Sequence, residues 1–209
     1  MANSDKHLHI LSIAEDLFAA KGFDGTTVRD IAEAADVNLA MISYYFGSKE
    51  KLMESLFKER MGATRSKIEA LIDNISLSPI EKVELLIDDY INRVIEKQSF
   101  YKIMLCEQVI NKNPIVLKLL KELKLSYARL ISELIEEGQR LKIFRKNIDV
   151  MLMLNTMTGT TTQFIINKDY YKEFNNYKKM PAAEFNALII TKLSSHIKNI
   201  FKAILGYEQ

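Results

Sequence analysis

The chain has 209 residues, of which 48% are hydrophobic and 27% are charged, an ordinary globular composition that is long enough to bury a core. The formal net charge of +2 does not by itself indicate a nucleic-acid partner. A single cysteine excludes an intrachain disulfide and a cysteine-rich zinc site, and the few prolines and glycines favour long helices over a β-rich fold.

A first helix is predicted from about Lys6 to Lys21, because apolar residues recur there on one helical face. Gly22 is expected to end this helix, and the polar residues 1–5 are expected to be frayed. His7 and His9 lie near its start. We expect both to be solvated, because no other metal ligand is spaced with them. No signal-like or membrane-spanning segment is evident, so we expect a cytoplasmic protein.

The stretch from Thr26 to Lys49 has the size and the turn residues of a helix-turn-helix. Thr27 is a suitable N-cap for a short helix, and Asp30 stands where the acid of a capping box reaches back to it. After a break in the apolar period, Asn38 can cap a second short helix that ends at Gly47. The inward positions of this second helix are expected to be Leu39, Ile42 and Phe46.

Three runs of residues, in this order, carry a resemblance to a known family: AxxLFxxKGF from Ala14, TTVRDIAEAADV from Thr26 and YYFGSKEKL from Tyr44. Together, from Ile10 to about Leu56, the chain resembles the DNA-binding domain of TetR/AcrR transcriptional regulators. The resemblance implies an all-α, TetR-like protein of about nine helices. Residues 1–47 would form a three-helix DNA-binding domain, and residues 48–209 a helical domain for ligand binding and dimerisation.

In this interpretation the second short helix enters the major groove of DNA. Asn38 can bond adenine, Ala40 or Met41 can touch a thymine methyl group, and the helix carries no arginine or lysine to recognise guanine. Free amides and a hydroxyl at the start of the first short helix suit a phosphate. Tyr45 and Lys49 match family positions that contact phosphate. The full set of predicted DNA contacts is Thr27, Asn38, Leu39, Ala40, Met41, Ser43, Tyr44, Tyr45 and Lys49.

The remaining helices are predicted from the apolar period at about 48–75, 79–97, 99–111, 113–137, 148–167 and 181–205, with a loop at 168–179. Gly138 is expected to end or bend the helix predicted at 113–137. The helix that starts at Ser48 joins that unit to the rest, so it is the natural lever between the two. Cys106 follows an apolar run and is expected to be a small buried residue.

The last two long helices carry more apolar surface than one face needs, and Asn155, Gly159 and Thr162 form a line that permits close helix approach. The resemblance implies a homodimer through these helices, bound to a double-stranded DNA operator and controlled by a small-molecule effector. Aromatic and methionine side chains of the middle helices are candidates to line its pocket: Phe100, Tyr101, Met104, Tyr127, Met157 and Phe164. Plain core packing is an interpretation at least as good for each of them.

Two alternatives come from other functional classes. An all-helical enzyme is disfavoured, because the chain has no Glu-x-x-His pair, nucleophile elbow, P-loop or GxGxxG pattern. The sequence accordingly predicts no catalytic residue, no metal ligand and no cofactor. A DNA-binding protein without a ligand, or one controlled by a protein partner, stays open.

Overall fold

The computed structural model describes residues 2–110 and 113–206, and in these ranges α-helix is the only regular secondary structure. Ten helices follow one another there: α1 Ala2–Lys21, α2 Val28–Ala34, α3 Leu39–Phe46, α4 Lys49–Ile72, α5 Pro79–Glu96, α6 Gln98–Ile110, α7 Pro114–Arg140, α8 Val150–Ile166, α9 Lys168–Phe174 and α10 Ala182–Leu205. The all-α prediction is confirmed, with one helix more than expected. None of these helices is both long enough and apolar enough to cross a bilayer.

Local signals set several helix boundaries. At the start of α5, Ser78 and Glu81 form a capping box and Pro79 takes the first helical position, where its missing N–H costs nothing. The first helix begins at Ala2 rather than near Lys6, because no glycine or proline interrupts its polar start. The predicted end of α6 at residue 111 lies outside the described residues.

The extra helix is α9, in a segment that we predicted to be a loop. Residues 168–174 are helical, and the ring of Tyr171 lies 5.3 Å from that of Phe164 and 6.5 Å from that of Phe185. A seven-residue helix is marginal by itself, so contacts with α8 and α10 decide its conformation. The prediction of a loop is therefore wrong for these residues.

Gly138 neither ends nor breaks α7, which continues to Arg140. A Cβ atom at Gly138 would lie 2.1 Å from Cδ2 of Phe144, whose side chain is buried. The glycine is thus required for the close approach of this ring. The helix does not end at residue 138, and the alternative of a bend there stays a prediction.

Cys106 is exposed, so the prediction that it is buried is also wrong. The buried positions of α6 are Phe100, Ile103 and Glu107, and residue 106 lies off this line. The apolar run did not indicate the buried face of α6, because that face contains a glutamate in place of an apolar residue.

The chain divides into two compact units, of which the first contains residues 1–65 and 99–123. One apolar cluster contains residues of α1, α2, α3, the first part of α4, α6 and the start of α7. Among its members are Ile10, Phe18, Ile31, Ile42, Phe46, Leu56, Phe57, Phe100, Ile103 and Leu120. The rings of Phe57 and Phe100 lie 5.0 Å apart. The helix-turn-helix thus shares its core with α6, while the domain limits of 1–47 and 48–209 stay a prediction.

The second compact unit contains residues 66–98 and 124–209, in which α5, α8 and α10 pack together. The carboxylate of Asp88 on α5 accepts hydrogen bonds from Ser194 and Lys198 on α10, the latter at 2.6 Å. The buried positions of α8 and α10 recur every four residues: Met153, Met157, Thr161 and Ile165, then Phe185, Ile189, Leu193, Ile197, Phe201 and Leu205. Each helix therefore buries one face and leaves the opposite face exposed.

Candidate nucleic-acid interface

The start of α2 is a complete capping box, as predicted. The hydroxyl of Thr27 accepts a hydrogen bond from the backbone N–H of Asp30 at 3.1 Å, and the Asp30 carboxylate accepts one from the backbone N–H of Thr27 at 2.8 Å. This second bond holds the pKa of Asp30 below its ordinary value. The Thr27 hydroxyl also donates to the same carboxylate at 2.8 Å, so the cap uses both its donor and its acceptor.

The turn from α2 to α3 is short and well defined. Asp36 takes a left-handed conformation with φ of 52°, and the Val37 N–H donates to the carbonyl of Ala32 at 3.0 Å. Oδ1 of Asn38 then accepts from the backbone N–H of Met41 at 2.9 Å. Asn38 is therefore the N-cap of α3, as predicted, and this bond uses one lone pair of its side-chain oxygen.

The side chains of α3 divide between a buried and an exposed face. Ile42 and Phe46 are 2% and 5% exposed, as predicted. Leu39 is 41% exposed, so its prediction as an inward position is wrong, and it lies with the outward residues instead. We call the exposed set the recognition face; its members are Leu39, Ala40, Ser43 and Tyr44. Tyr44 is 77% exposed, and Met41 is half-buried beside this face.

Two histidines of α1 contact the helix-turn-helix. The prediction that both are solvated is wrong for His7, which is half-buried, whereas the side chain of His9 is exposed as expected. The ring of His7 stacks on Phe46 with 4.7 Å between centroids and lies 6.0 Å from the ring of Tyr45. Nε2 of His9 lies 3.2 Å from the carbonyl oxygen of Ala35 at the end of α2. The sequence offered no signal for these contacts beyond the residue type, because their partners lie far along the chain.

Lys49, at the start of α4, is half-buried, and its ammonium group bonds the protein backbone. Its ammonium group donates to the carbonyl oxygens of Phe23 at 2.8 Å and Thr26 at 2.9 Å, and Nζ lies 4.2 Å from the centroid of the Phe23 ring. Two of its three N–H groups therefore serve the segment between α1 and α2.

Charged groups also connect other helices of this unit. Nε of Arg60 on α4 lies 2.7 Å from Oε2 of Glu15 on α1, and the Glu15 side chain is largely buried. Glu107 of α6 is buried, and burial together with the negative charge of Asp24 raises the pKa of its carboxyl group. The segment before α2 is therefore in electrostatic contact with α6.

The order of a capped helix, a tight turn and a second helix with an exposed face is that of a helix-turn-helix. Residues 10–56 match the family model described as "Bacterial regulatory proteins, tetR family". Residues 57–201 match the model described as "YsiA-like protein, C-terminal region". The chain belongs to the TetR family of bacterial regulatory proteins. As a TetR family member it is a DNA-binding transcriptional regulator.

Known relatives within the TetR family are transcriptional regulators too. The chain is 49% identical over 67 residues to the probable regulator YttP of Bacillus subtilis, a match that spans 32% of either chain. It is 27% identical over 161 residues to the repressor KstR2 of Rhodococcus jostii, which covers 75% of this chain and 76% of that one. The solved structure of FadR from Bacillus subtilis in complex with stearoyl-CoA superposes with a TM-score of 0.64 at 22% identity, covering 91% and 96% of the two chains.

The six residues predicted to line a ligand pocket are distributed over both compact units of this TetR family protein. Phe100, Tyr101 and Met104 belong to the first unit, where Phe100 is a core residue. In the second unit, Met157 is buried and Phe164 lines an open groove of about 630 Å³ between α8, α9 and α10. The sixth residue, Tyr127, also belongs to the second unit. Their role in ligand binding stays a prediction.

Proposed function

We propose that the protein binds a palindromic operator as a homodimer, represses transcription there, and leaves the operator when a small molecule binds. The observation that carries this proposal is α3, which is capped at its start, packed on one side and exposed along the recognition face. One such helix reads a single half-site. A two-fold dimer presents two of them, about 34 Å apart, or one turn of DNA. Residues 1–47 would read DNA, and residues 48–209 would dimerise and bind the effector.

The recognition face favours contact with thymine over guanine. Leu39 and Ala40 offer apolar contact to a thymine methyl group, and the hydroxyl groups of Ser43 and Tyr44 can bond a base edge or a phosphate. Met41 would add apolar contact at the edge of this face. Asn38 keeps its side-chain NH₂ group as a donor for DNA, while one lone pair of its oxygen already accepts the capping bond of α3. We therefore expect half-sites in which the contacted positions are rich in A·T pairs.

Contacts to phosphate would position α3 without reading sequence. Thr27 is exposed at the start of α2, where the free backbone N–H groups of a helix favour an anion. Tyr45 is half-buried beside Tyr44, and its phenol can reach the DNA backbone at the edge of the groove. Lys49 has less capacity to bond phosphate, because two of the three N–H groups of its ammonium already donate to carbonyl oxygens.

The exposed faces of α8 and α10 are the proposed dimer surface. On α8, Leu152 and Ile166 are 64% and 56% exposed, and a Cβ atom added at Gly159 would meet no atom within 4 Å. On α10, small and polar residues recur every four positions on the exposed side: Ala187, Thr191, Ser195, Asn199 and Ala203. Such surfaces allow two helices from each protomer to approach closely and to form a four-helix bundle.

Gly159→Glu tests this surface without a clash inside the protomer. Gly62→Glu on α4 is the matched control, since its Cβ atom would also meet no atom within 4 Å and the change in charge is the same. We expect wild type and Gly62→Glu to be dimers by light scattering at micromolar concentration and Gly159→Glu to dissociate. A monomeric wild-type protein would refute the homodimer, and a dimeric Gly159→Glu protein would place its interface elsewhere.

For the effector we propose a long-chain acyl-CoA. Support comes from the relative of the same fold that was solved with stearoyl-CoA, and from the aromatic and methionine side chains among the predicted pocket residues. The test is displacement of the protein from DNA by stearoyl-CoA, with free coenzyme A and stearate as separate controls. Release by stearoyl-CoA alone supports the proposal. Failure of all three to change DNA affinity or thermal stability favours control without this ligand, including control by a protein partner.

Operator binding itself is tested by selection. Incubating the wild-type protein with a library of random 35-base-pair duplexes should enrich a two-fold symmetric sequence, and footprinting should protect two half-sites about one helical turn apart. Enrichment of a single unpaired half-site would contradict the dimeric operator. The absence of any enriched sequence would refute sequence-specific binding.

A further inference from the structure

Both ends of α2 are held by side chains from other helices. This helix has seven residues, too few to be stable by itself, and α3 follows it after a turn of four residues, 35–38. The orientation of α3 therefore depends on how α2 is fixed against α1 and α4.

At the N-terminal end, the holding side chain is Lys49 of α4. It bonds the carbonyls of Phe23 and Thr26, and it lies over the Phe23 ring. The residue between these contacts and α2 is Thr27, the N-cap. Thr26 is fully buried, and its hydroxyl donates to the Gly22 carbonyl at 2.9 Å, so the segment has little freedom once Lys49 is in place.

At the C-terminal end, the holding side chain is His9 of α1. The Ala35 carbonyl can only accept a hydrogen bond, so His9 donates to it through Nε2. Ala35 is the C-cap of α2, and carbonyl groups at a helix C-terminus lack partners within the helix. This single bond thus satisfies a terminal carbonyl and ties the end of α2 to α1.

We propose that Lys49 and His9 are positioning residues for operator binding, which hold the two ends of α2 so that α3 meets the groove in one orientation. The inference rests on the proposed operator binding and concerns how it is controlled. Because Lys49 begins α4, a displacement of the start of α4 would pull on the segment before α2. Lys49 is then a mechanical link between α4 and the helix-turn-helix.

A direct contact between Lys49 and DNA phosphate makes different predictions. Loss of a phosphate contact weakens binding to all sequences alike and lowers the salt slope of log K by about 0.9 per contact. Loss of a positioning contact leaves the number of phosphate contacts unchanged, but it displaces the side chains of α3 that contact bases. It therefore reduces the preference for the operator over random DNA.

The experiment uses full-length protein and two duplexes, the sequence selected by wild type from the random library and a scrambled duplex of equal length. Kd is measured for both at several salt concentrations. The variant is Lys49→Met, and Lys51→Met is the matched control, since Lys51 is an exposed lysine on the same turn of α4. A second pair, His9→Ala and His9→Gln, removes and then replaces the side-chain N–H donor.

For Lys49→Met we expect the ratio of operator to scrambled affinity to fall at least tenfold with an unchanged salt slope, whereas Lys51→Met keeps the ratio within twofold. His9→Ala should lower the ratio at least threefold, and His9→Gln should restore it. Equal losses on both duplexes with a shallower slope for Lys49→Met would overturn the proposal. An unchanged ratio for His9→Ala would also overturn it.

If circular dichroism shows that Lys49→Met does not fold, the two His9 variants test the positioning role by themselves. Failure of this inference is separate from failure of operator binding, since the latter is judged on wild type alone. Wild type that prefers its selected duplex, with variants that retain that preference, would leave operator binding intact and assign Lys49 and His9 no positioning role.

Discussion

Asn38 offers the sharpest test of how α3 is built, because one side chain has been given two roles. Its oxygen caps α3 through the Met41 N–H at 2.9 Å, and the residue is also predicted to bond adenine, to which its NH₂ group can donate. Asn38→Ala removes both groups. Asn38→Ser removes the NH₂ group but keeps a hydroxyl that serves well as an N-cap. The two variants therefore separate the cap from the base contact.

The expected loss of operator affinity follows from the free-energy cost of removing the N-cap. Replacing a capping asparagine by alanine costs about 1 kcal/mol, and the first turn of α3 carries Leu39 and Ala40 of the recognition face. If DNA binding must restore this turn in both protomers, the cost is about 2 kcal/mol, or roughly a 30-fold rise in Kd. Asn38→Ser should bind the selected operator within a few-fold of wild type.

The assay is fluorescence anisotropy on the selected operator at fixed salt, with thermal unfolding at one protein concentration as the measure of stability. An Asn38→Ser protein as weak as Asn38→Ala would refute this reasoning and return the main role to the NH₂ group. An Asn38→Ala protein that binds like wild type would show that packing alone holds the first turn of α3.

Three further predictions concern other parts of the molecule. Gly138→Ala should destabilise the protein by about 1–3 kcal/mol through overpacking against the adjacent aromatic ring, whereas Gly62→Ala, in open space, should stabilise it by about 0.5–1 kcal/mol. Glu107→Gln should raise the melting temperature at pH 7 but not at pH 4, because burial and Asp24 penalise only the ionised carboxylate. Tyr45→Ala should weaken binding to operator and random DNA by the same factor, because its predicted contact is with phosphate.

The pH dependence of Glu107 has a definite sign. Its pKa in the folded protein is raised above 4.5, so the folded state binds more protons and wild-type stability falls as pH rises through that range. A Gln variant that is less stable than wild type at pH 7 would contradict this. A stabilised Gly138→Ala protein would refute the required close packing, and a loss confined to operator DNA would refute the phosphate role of Tyr45.

The sequence by itself determined most of the helices and the caps of the helix-turn-helix. Thr27 bonds Asp30, and Asn38 bonds Met41, each three residues along the chain, so a short stretch of sequence is enough to predict these caps. Gly47 likewise ends α3 with φ of 77°, a conformation that its missing side chain permits. The family resemblance rested on these same local runs, and the fold and the DNA-binding role that it implied are confirmed.

Only the tertiary structure decided which side chains are buried and which distant groups the side chains contact. His9 reaches Ala35 and Lys49 reaches Phe23, each across 26 positions in the chain, so no local pattern indicates them. The same reason explains the buried Glu107 and the exposed Cys106 on neighbouring positions of α6. The helical period of apolar residues predicts that one face of a helix is buried. Which face is buried depends on the helices that pack against it, and these come from distant parts of the chain.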